Sequence, residues 1–523
     1  MIFRTAVLVC LLLCQVAWAS LEDGLSNLHP RQSSVTAPPN ILLIISEDNG
    51  PQWGCYGDRF AKTPVLDRLA ERGLRLNRAF VTQAGCSQSR ASLLTGLYPH
   101  QHGQIGLATW GFRMYRADQP TLPGLLKTAG YRTGILGKLH VNPESAFPYD
   151  FARIPVANFQ RRSLADYAQH AAQFFSEQPE RPFLLQVNYP EAHDPFLRQV
   201  EGLPAEPLSG SDVVALPEFG IDPPALREIV ADYYNCVLRL DHLVGELLIA
   251  LERSGRAADT LVICMGDHGA DLLRGKRTSF EGGLRIPLIL HWPGRIVPQV
   301  RDDLVSTVDL LPTILTAAGV TLPAGLPGRP LQPLFTAGDP EWRQYLFSEY
   351  HTHAAASNYF PQRTVRTARW KLIENLLPGT VHPDYDVTFK KLAKEANSRK
   401  IVGGLDLHAA VAAAAPEVKA AYARMRQPPP FELYDLQSDP FEFRDLAAEP
   451  QHADMLHELQ QALLQWRRET GDPLLNPALL QRLTAEVQAV SDKAAGRQLQ
   501  WGYPDYFFGR EPARGALNRN SRP

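Results

Sequence analysis

Four segments of this 523-residue chain place carboxylates, imidazoles and ammonium groups directly after apolar runs. Asn40–Ser46 leads into Glu47-Asp48-Asn49, and Thr260–Met265 into Gly266-Asp267-His268-Gly269. Tyr131–Leu136 leads into Gly137-Lys138-Leu139-His140, and Pro182–Val187, past Asn188, into Glu191-Ala192-His193-Asp194. One such ending would be an ordinary turn signal, because Asp and Gly favour turns. Four of them read as one site, because ligands of open α/β sheets bind beyond the carboxyl ends of the strands. Glu47, Asp48 and Asp267 would repel one another there unless a cation neutralised them. Oxygen donors without thiolates favour a hard cation, Ca²⁺ or alternatively Mg²⁺, while His268 leaves Zn²⁺ open. Lys138 and His140, two residues apart, would share one side of an extended strand. They suit an anionic substrate and proton transfer to a leaving group.

The segment from Cys86 to Gly96, CSQSRASLLTG, adds a nucleophile. Its second half reads as a short helix ended by Gly96, with Cys86 at the helix start. Free N–H groups and the helix dipole at that end attract anions and depress a thiol pKa. Soft sulfur suits a hard-cation site poorly, however, so the sequence suggests that Cys86 does not stay a cysteine.

These segments need a scaffold. The apolar runs named above, with Pro287–His291, have the length and composition of strands buried on both faces of a parallel sheet. Helical patterns lie between them at Pro64–Arg72, Ser89–Thr95, Leu122–Ala129, Leu164–Ser176 and Leu226–Arg253. The alternation predicts an α/β fold, a large mostly parallel sheet flanked by helices. The pattern changes near residue 335. Thr364–Ile373 and Phe431–Leu436, each read as a short strand with a charged face, and an amphipathic helix over Ala453–Glu469 predict a smaller α+β domain. The expected division is a leader over 1–19, a linker over 20–38, a catalytic α/β domain over 39–338, the smaller domain over 339–480 and a surface tail over 481–523.

Composition narrows the function classes. A 45% hydrophobic and 21% charged chain is globular, and a net charge of −2 gives no basic field for nucleic acid. Arg4, the apolar run Ala6–Val16 and Ala17-Trp18-Ala19 read as an export signal cleaved before Ser20, with a buried N-terminal helix, or a lipoprotein signal at Cys10 or Cys14, as the alternatives. No later run has the length of a membrane span. Two of the six cysteines fall in the leader, and four in so long a chain are no disulfide framework. Cys236 and Cys264 read as core. The excess of Arg over Lys points to a GC-rich bacterium. The expected location is therefore secreted or periplasmic, or lysosomal in a eukaryote.

In these motifs the chain resembles the sulfatase family of the alkaline-phosphatase superfamily, whose signature is Cys-x-Pro-Ser-Arg, a short helix and Thr-Gly. The resemblance spans about residues 39–475. It includes the acidic pair, Gly137-Lys138-x-His140, His193-Asp194-Pro195, Asp267-His268-Gly269, Lys276 ahead of Phe280-Glu281-Gly282-Gly283, and Glu432-Leu433-Tyr434-Asp435-Leu436 followed by Asp439-Pro440. Leu139-His140-Val141, Ser348–His353 and Gln465-Trp466 with Glu469–Pro473 are most similar to the heparan N-sulfatase branch and its bacterial relatives.

The resemblance implies an alkaline-phosphatase-like fold and an enzyme that removes sulfate from a sulfated sugar, in this branch a heparan-type glycosaminoglycan. It implies that a formylglycine-generating maturase oxidises Cys86 during export. One hydroxyl of the hydrated aldehyde then attacks sulfur and the other expels sulfate. Glu47, Asp48, Asp267 and His268 would bind the metal together with modified Cys86. Arg90 would brace the hydrate, and Lys138, His140, His193 and Lys276 would hold the sulfate oxygens and assist the leaving group. His351 and His353 would reach the sugar from the smaller domain. A homodimer is left open. Two positions depart from the family: Glu47 stands where Asp is frequent, and Gln88 stands where the maturation signature has Pro. Arg277 beside Lys276 competes for the sulfate-binding role. The rival readings are a phosphomonoesterase or phosphonate-ester hydrolase of the same superfamily, and an inactive relative that binds sulfated glycans.

Overall fold

Apolar runs long enough for one strand, with no polar alternation, must be covered on both sides, and the chain does this with two hydrophobic clusters. The computed structural model describes residues 38–116, 118–155, 157–490 and 499–509. The leader, and all of the linker except its last residue, lie outside the described residues. In the strand Asn40–Ser46, Ile41, Leu43 and Ile45 enter one cluster while Leu42 and Ile44 enter the other. The strand Thr260–Gly266 divides the same way, with Leu261, Ile263 and Met265 opposite Val262 and Cys264. Period-two alternation therefore serves two cores, which explains the continuous apolar sequence.

The main sheet has eight strands. Across it run Gln299–Arg301, Leu74–Leu76, Leu288–His291, Thr260–Gly266, Asn40–Ser46, Phe183–Tyr189, Arg132–Gly137 and Phe151–Arg153. Only Leu288–His291 runs antiparallel to its neighbours, so the sheet is mixed but mostly parallel. The 30-residue helix Pro224–Arg253 covers one face, burying Ile229, Tyr233, Leu240, Val244 and Leu247. The register sets the strand ends level. Ser46 pairs with both Tyr189 and Gly266, and Gly137 pairs with Asn188. The four polar endings thus leave the sheet at one edge.

A second, four-stranded antiparallel sheet runs in the order Leu346–Tyr350, Gln362–Arg366, Trp370–Asn375 and Phe431–Asp435. The helix Ala453–Glu469 packs on it through Leu459, Leu463 and Trp466. This smaller sheet is pinned to the segment after Ala79–Phe80, a strand of a separate three-stranded sheet: the Glu349 N–H donates to the Thr82 carbonyl at 2.7 Å and the Ser348 hydroxyl to the Val81 carbonyl at 2.8 Å.

Three features differ from the sequence reading. The first strand of this sheet, Leu346–Tyr350, has no counterpart among the expected strands. The helices Pro383–Ser398 and Pro416–Arg426 were not foreseen. The helix Pro477–Gln488 runs across residue 480, and Trp501 and Tyr503 of the expected tail are buried against Ile105, Phe112 and Tyr359. Among the described residues no helix is long and apolar enough to cross a membrane.

Candidate active site

The helix Cys86–Thr95 begins with Cys86 and ends at Gly96, whose φ of 70° needs glycine. Every residue in it is buried, so it is a core helix aimed at the sheet edge. Cys86 Sγ lies 3.3 Å from His268 Nε2. His268 Nε2 lies 3.3 Å from Asp48 Oδ1 and 3.7 Å from Asp267 Oδ1, and Asp267 Oδ1 accepts the Asp48 N–H at 2.9 Å. Asp48 takes this position with φ 51°, a left-handed conformation a non-glycine residue adopts only when its surroundings hold it there.

The five expected metal-binding residues do not form one set. Ligand atoms of Asp48, Cys86, Asp267 and His268 lie within 4.8 Å of one another, and a second such group joins Asp48 and Cys86 to Glu47 and His193. The two carboxylate oxygens of Glu47 are each taken by a cation, Arg90 Nη2 at 2.8 Å and Lys138 Nζ at 2.8 Å. Burial pushes the Glu47 carboxyl up, but Lys138 and Arg90 outweigh it and hold the group below its ordinary pKa. In Asp267 burial is likewise outweighed, by His268 and Arg90, and the carboxyl is held low. For His268, burial disfavours the imidazolium, yet Asp267, Cys86 and Asp48 together raise its pKa to about 9.

Arg90 is fully buried and knits the strand ends together. Its Nε reaches Asp267 Oδ2 at 3.2 Å, and its Nη1 reaches Asn188 Oδ1 at 2.7 Å and the Lys138 carbonyl at 3.1 Å. Its side-chain hydrogen bonds run to the carboxylates, to Asn188 and to the Lys138 backbone, rather than to Cys86. Asn188 was passed over in the sequence because an amide at a strand end gives no signal of its own.

Cys86, Lys138, His140, His193, Lys276 and His353 line a single open cavity of about 570 Å³. The strand ends at Gly137, whose φ of 82° would force an added Cβ to 2.3 Å from the Asn188 carbonyl oxygen. His140 then takes φ 59°. Lys138 and His140 therefore share the cavity through a turn, where an extended strand was expected. Among the described residues neither ring nitrogen of His140 has a hydrogen-bond partner. Burial, then Lys138, Arg90 and Lys276, hold its pKa well below the usual imidazole value. His193 is stacked on Phe159 at 3.8 Å, and burial and Lys276 keep it low as well. Lys276 Nζ grips Asp48 at 2.9 and 3.0 Å, whereas Arg277 turns away to Asp271 at 2.6 Å and Thr388 at 3.0 Å. Of the two neighbouring cations, Lys276 is the one on the cavity.

The smaller domain contributes His353 but not His351. His351 is fully buried, 3.5 Å from Glu349, and is absent from the cavity wall. The strand Leu346–Tyr350 ends just before it, and the turn that follows exposes the second histidine. Gln88 is also fully buried, and its Nε2 donates to the Thr352 carbonyl at 2.7 Å and the Ile105 carbonyl at 3.3 Å. It therefore ties the Cys86 helix to the segment that carries His353.

A mixed sheet flanked by helices, with a smaller antiparallel sheet and an acidic centre beyond the strand ends, is the architecture of an alkaline-phosphatase-like hydrolase. Residues 39–320 match the family model described as Sulfatase, and residues 266–397 match that described as N-sulphoglucosamine sulphohydrolase, C-terminal. The chain belongs to the sulfatase family, and it is a sulfatase enzyme. It is 32% identical over 475 residues to N-sulphoglucosamine sulphohydrolase of Homo sapiens, covering 83% of this chain and 91% of that protein. It is 31% identical over 401 residues to Arylsulfatase A of Homo sapiens, covering 67% of this chain and 77% of that protein. A solved structure of a protein in complex with its substrate D-glucosamine-2-N,6-O-disulfate shares the fold, with a TM-score of 0.58, 19% identity, and 83% of this chain and 98% of that one covered.

Proposed function

We propose that the protein hydrolyses the sulfamate or sulfate ester of a sulfated glucosamine unit in a heparan-type glycan, outside the cytoplasm, after conversion of Cys86 to formylglycine. The carrying observation is the cavity in which Cys86, at a helix start, meets Lys138, His140, His193, Lys276 and His353. Similarity to a curated N-sulphoglucosamine sulphohydrolase supports the substrate class.

The donor set suits a hard divalent cation, Ca²⁺ or Mg²⁺: Asp48, Asp267, His268 and oxidised Cys86 would hold it, with Glu47 at the margin. Such an ion supplies Lewis acidity and charge neutralisation at the sulfate oxygens, and formylglycine supplies an oxygen nucleophile. Lys138 and Lys276 present two ammonium groups to the sulfate. His140 is held neutral by burial and Lys138, so an anionic sulfate group raises its proton affinity and readies it to protonate the departing nitrogen or oxygen. Arg90 holds Glu47 and Asp267 in place, and Phe159 fixes the His193 ring. His353 faces the sugar.

The test is sulfate release from N-sulfoglucosamine, from its 6-O-sulfated counterpart and from a matched phosphate ester, together with the mass of the Cys86 peptide. Release from the sulfated sugars by protein with a formylglycine mass is expected. Preference for the phosphate ester, or an unmodified thiol together with glycan binding and no turnover, would favour one of the rival readings. Chelation is expected to abolish turnover, with Ca²⁺ or Mg²⁺ restoring it better than Zn²⁺. Restoration by Zn²⁺ alone would contradict the hard-cation assignment.

Gln88→Pro separates maturation from catalysis. The backbone tolerates proline in the first turn, where the N–H has no intrahelical partner. The side chain's two buried hydrogen bonds are lost, at a cost of about 1–3 kcal/mol. Formylglycine occupancy is expected to rise while the unfolding midpoint falls. Unchanged stability would show that the tie to Thr352 contributes nothing.

A further inference from the structure

A second cavity of about 550 Å³ opens where the smaller sheet meets the larger one, and it shares no wall residue with the catalytic cavity. Four arginines line it: Arg75, Arg78 and Arg285 from the larger layer and Arg366 from the smaller. Arg366 is neutralised by Glu281 at 2.6 Å and lies 3.9 Å over the Phe80 ring. The other three have no carboxylate within ion-pair distance among the described residues. Arg75 makes no hydrogen bond at all there; its Nε is buried without a partner and its guanidinium sits 5.3 Å over the Tyr56 ring. Arg78 touches only the Asp302 carbonyl at 3.4 Å, and Arg285 only the Asn77 carbonyl at 2.9 Å.

The acidic groups on the same wall are otherwise engaged. Asp58 accepts from the Tyr234 hydroxyl at 2.6 Å, Asp302 accepts from Asn77 at 2.8 Å, and burial pushes the Glu218 carboxyl up to about 7. Burial lowers the Arg285 pKa; Glu281 pulls it back up without forming an ion pair, and Arg366 and Arg78 add to the depression. Half-buried like charges that outnumber their counter-charges repel one another, and an anion in their midst reverses the sign. Guanidinium forks bind sulfate and carboxylate in a bidentate manner, and clefts between domains are favoured ligand sites.

We propose that this cleft is an accessory subsite for a multiply anionic saccharide, holding sulfate or carboxylate groups of the glycan chain whose terminal residue occupies the catalytic cavity. The saccharide identity rests on the proposed function; the anion site itself does not.

Arg75→Gln/Arg78→Gln removes two charges from half-exposed positions. Turnover of a small aryl sulfate is expected to stay within about twofold, while KM for a sulfated tetrasaccharide rises about tenfold or more, tenfold being the effect of losing one of the two charge-assisted contacts. Arg75→Lys/Arg78→Lys should recover part of the loss, and no variant should melt below the parent. Calorimetry on Cys86→Ala protein, which does not turn over, should show tetrasaccharide binding that weakens when the two arginines are changed. Equal KM values in parent and double-glutamine protein would overturn the subsite, as would tetrasaccharide binding indifferent to the arginines. Binding of inorganic sulfate but not of the tetrasaccharide would also overturn it. Absence of any sulfatase turnover, with arginine-dependent tetrasaccharide binding intact, would instead fail the proposed function and leave the subsite standing.

Discussion

Cys86→Ala is expected to lower sulfate release by about 10⁴-fold or more, the scale of removing a nucleophile from an assembled site. The variant should fold normally. Cys86 is buried at the first position of its helix, and among the described residues its side chain makes one hydrogen bond, with His268 Nε2 at 3.3 Å. Alanine loses that contact and little volume. Unchanged melting with abolished turnover is therefore the expected pair of results. A residual rate above about 10% of the parent would show that the cavity's lysines and histidines act through water alone, and that Cys86 is not the nucleophile position.

Arg90→Leu is expected to cost about 3–5 kcal/mol of stability, because removing one partner from a buried ion network leaves uncompensated charge. Glu47 and Asp267 are almost fully buried, and Arg90 bonds both at 2.8 and 3.2 Å while also holding Asn188 and the Lys138 carbonyl. Two carboxylates would lose a shared counter-charge and four strand ends would lose their tie. Urea unfolding should show a lower midpoint. Saturating Ca²⁺ should recover part of it if the carboxylates can then share the ion. A midpoint within about 0.5 kcal/mol of the parent would mean that Arg90 acts only on the substrate side.

Local pattern made the site legible. Strands buried on both faces read as unbroken apolar runs, so their ends, and the polar residues after them, could be marked before any pairing was known. The helix carrying Cys86 was readable from Gly96 and from the small polar residues before it. The smaller domain was less legible. Its first strand, Leu346–Tyr350, ends directly before His351 and His353, and no periodicity distinguishes the buried histidine from the one on the cavity.

What the sequence by itself determined was the set of reactive groups and the sheet edge at which they gather. Strand length, apolar run and turn chemistry are properties of neighbouring residues. The partners were decided only in three dimensions. Glu47 lies one residue before Asp48 yet is claimed by Arg90 and Lys138, and Lys276 rather than Arg277 grips Asp48. Gln88 ties the nucleophile's helix to Thr352, and Trp501 and Tyr503 pack against Phe112 nearly 400 positions away. The physical reason is that a charge or amide finds its partner through distance and burial, and both follow from the register of strands and the docking of the two sheets. Nothing in the spacing of residues along the chain encodes that register.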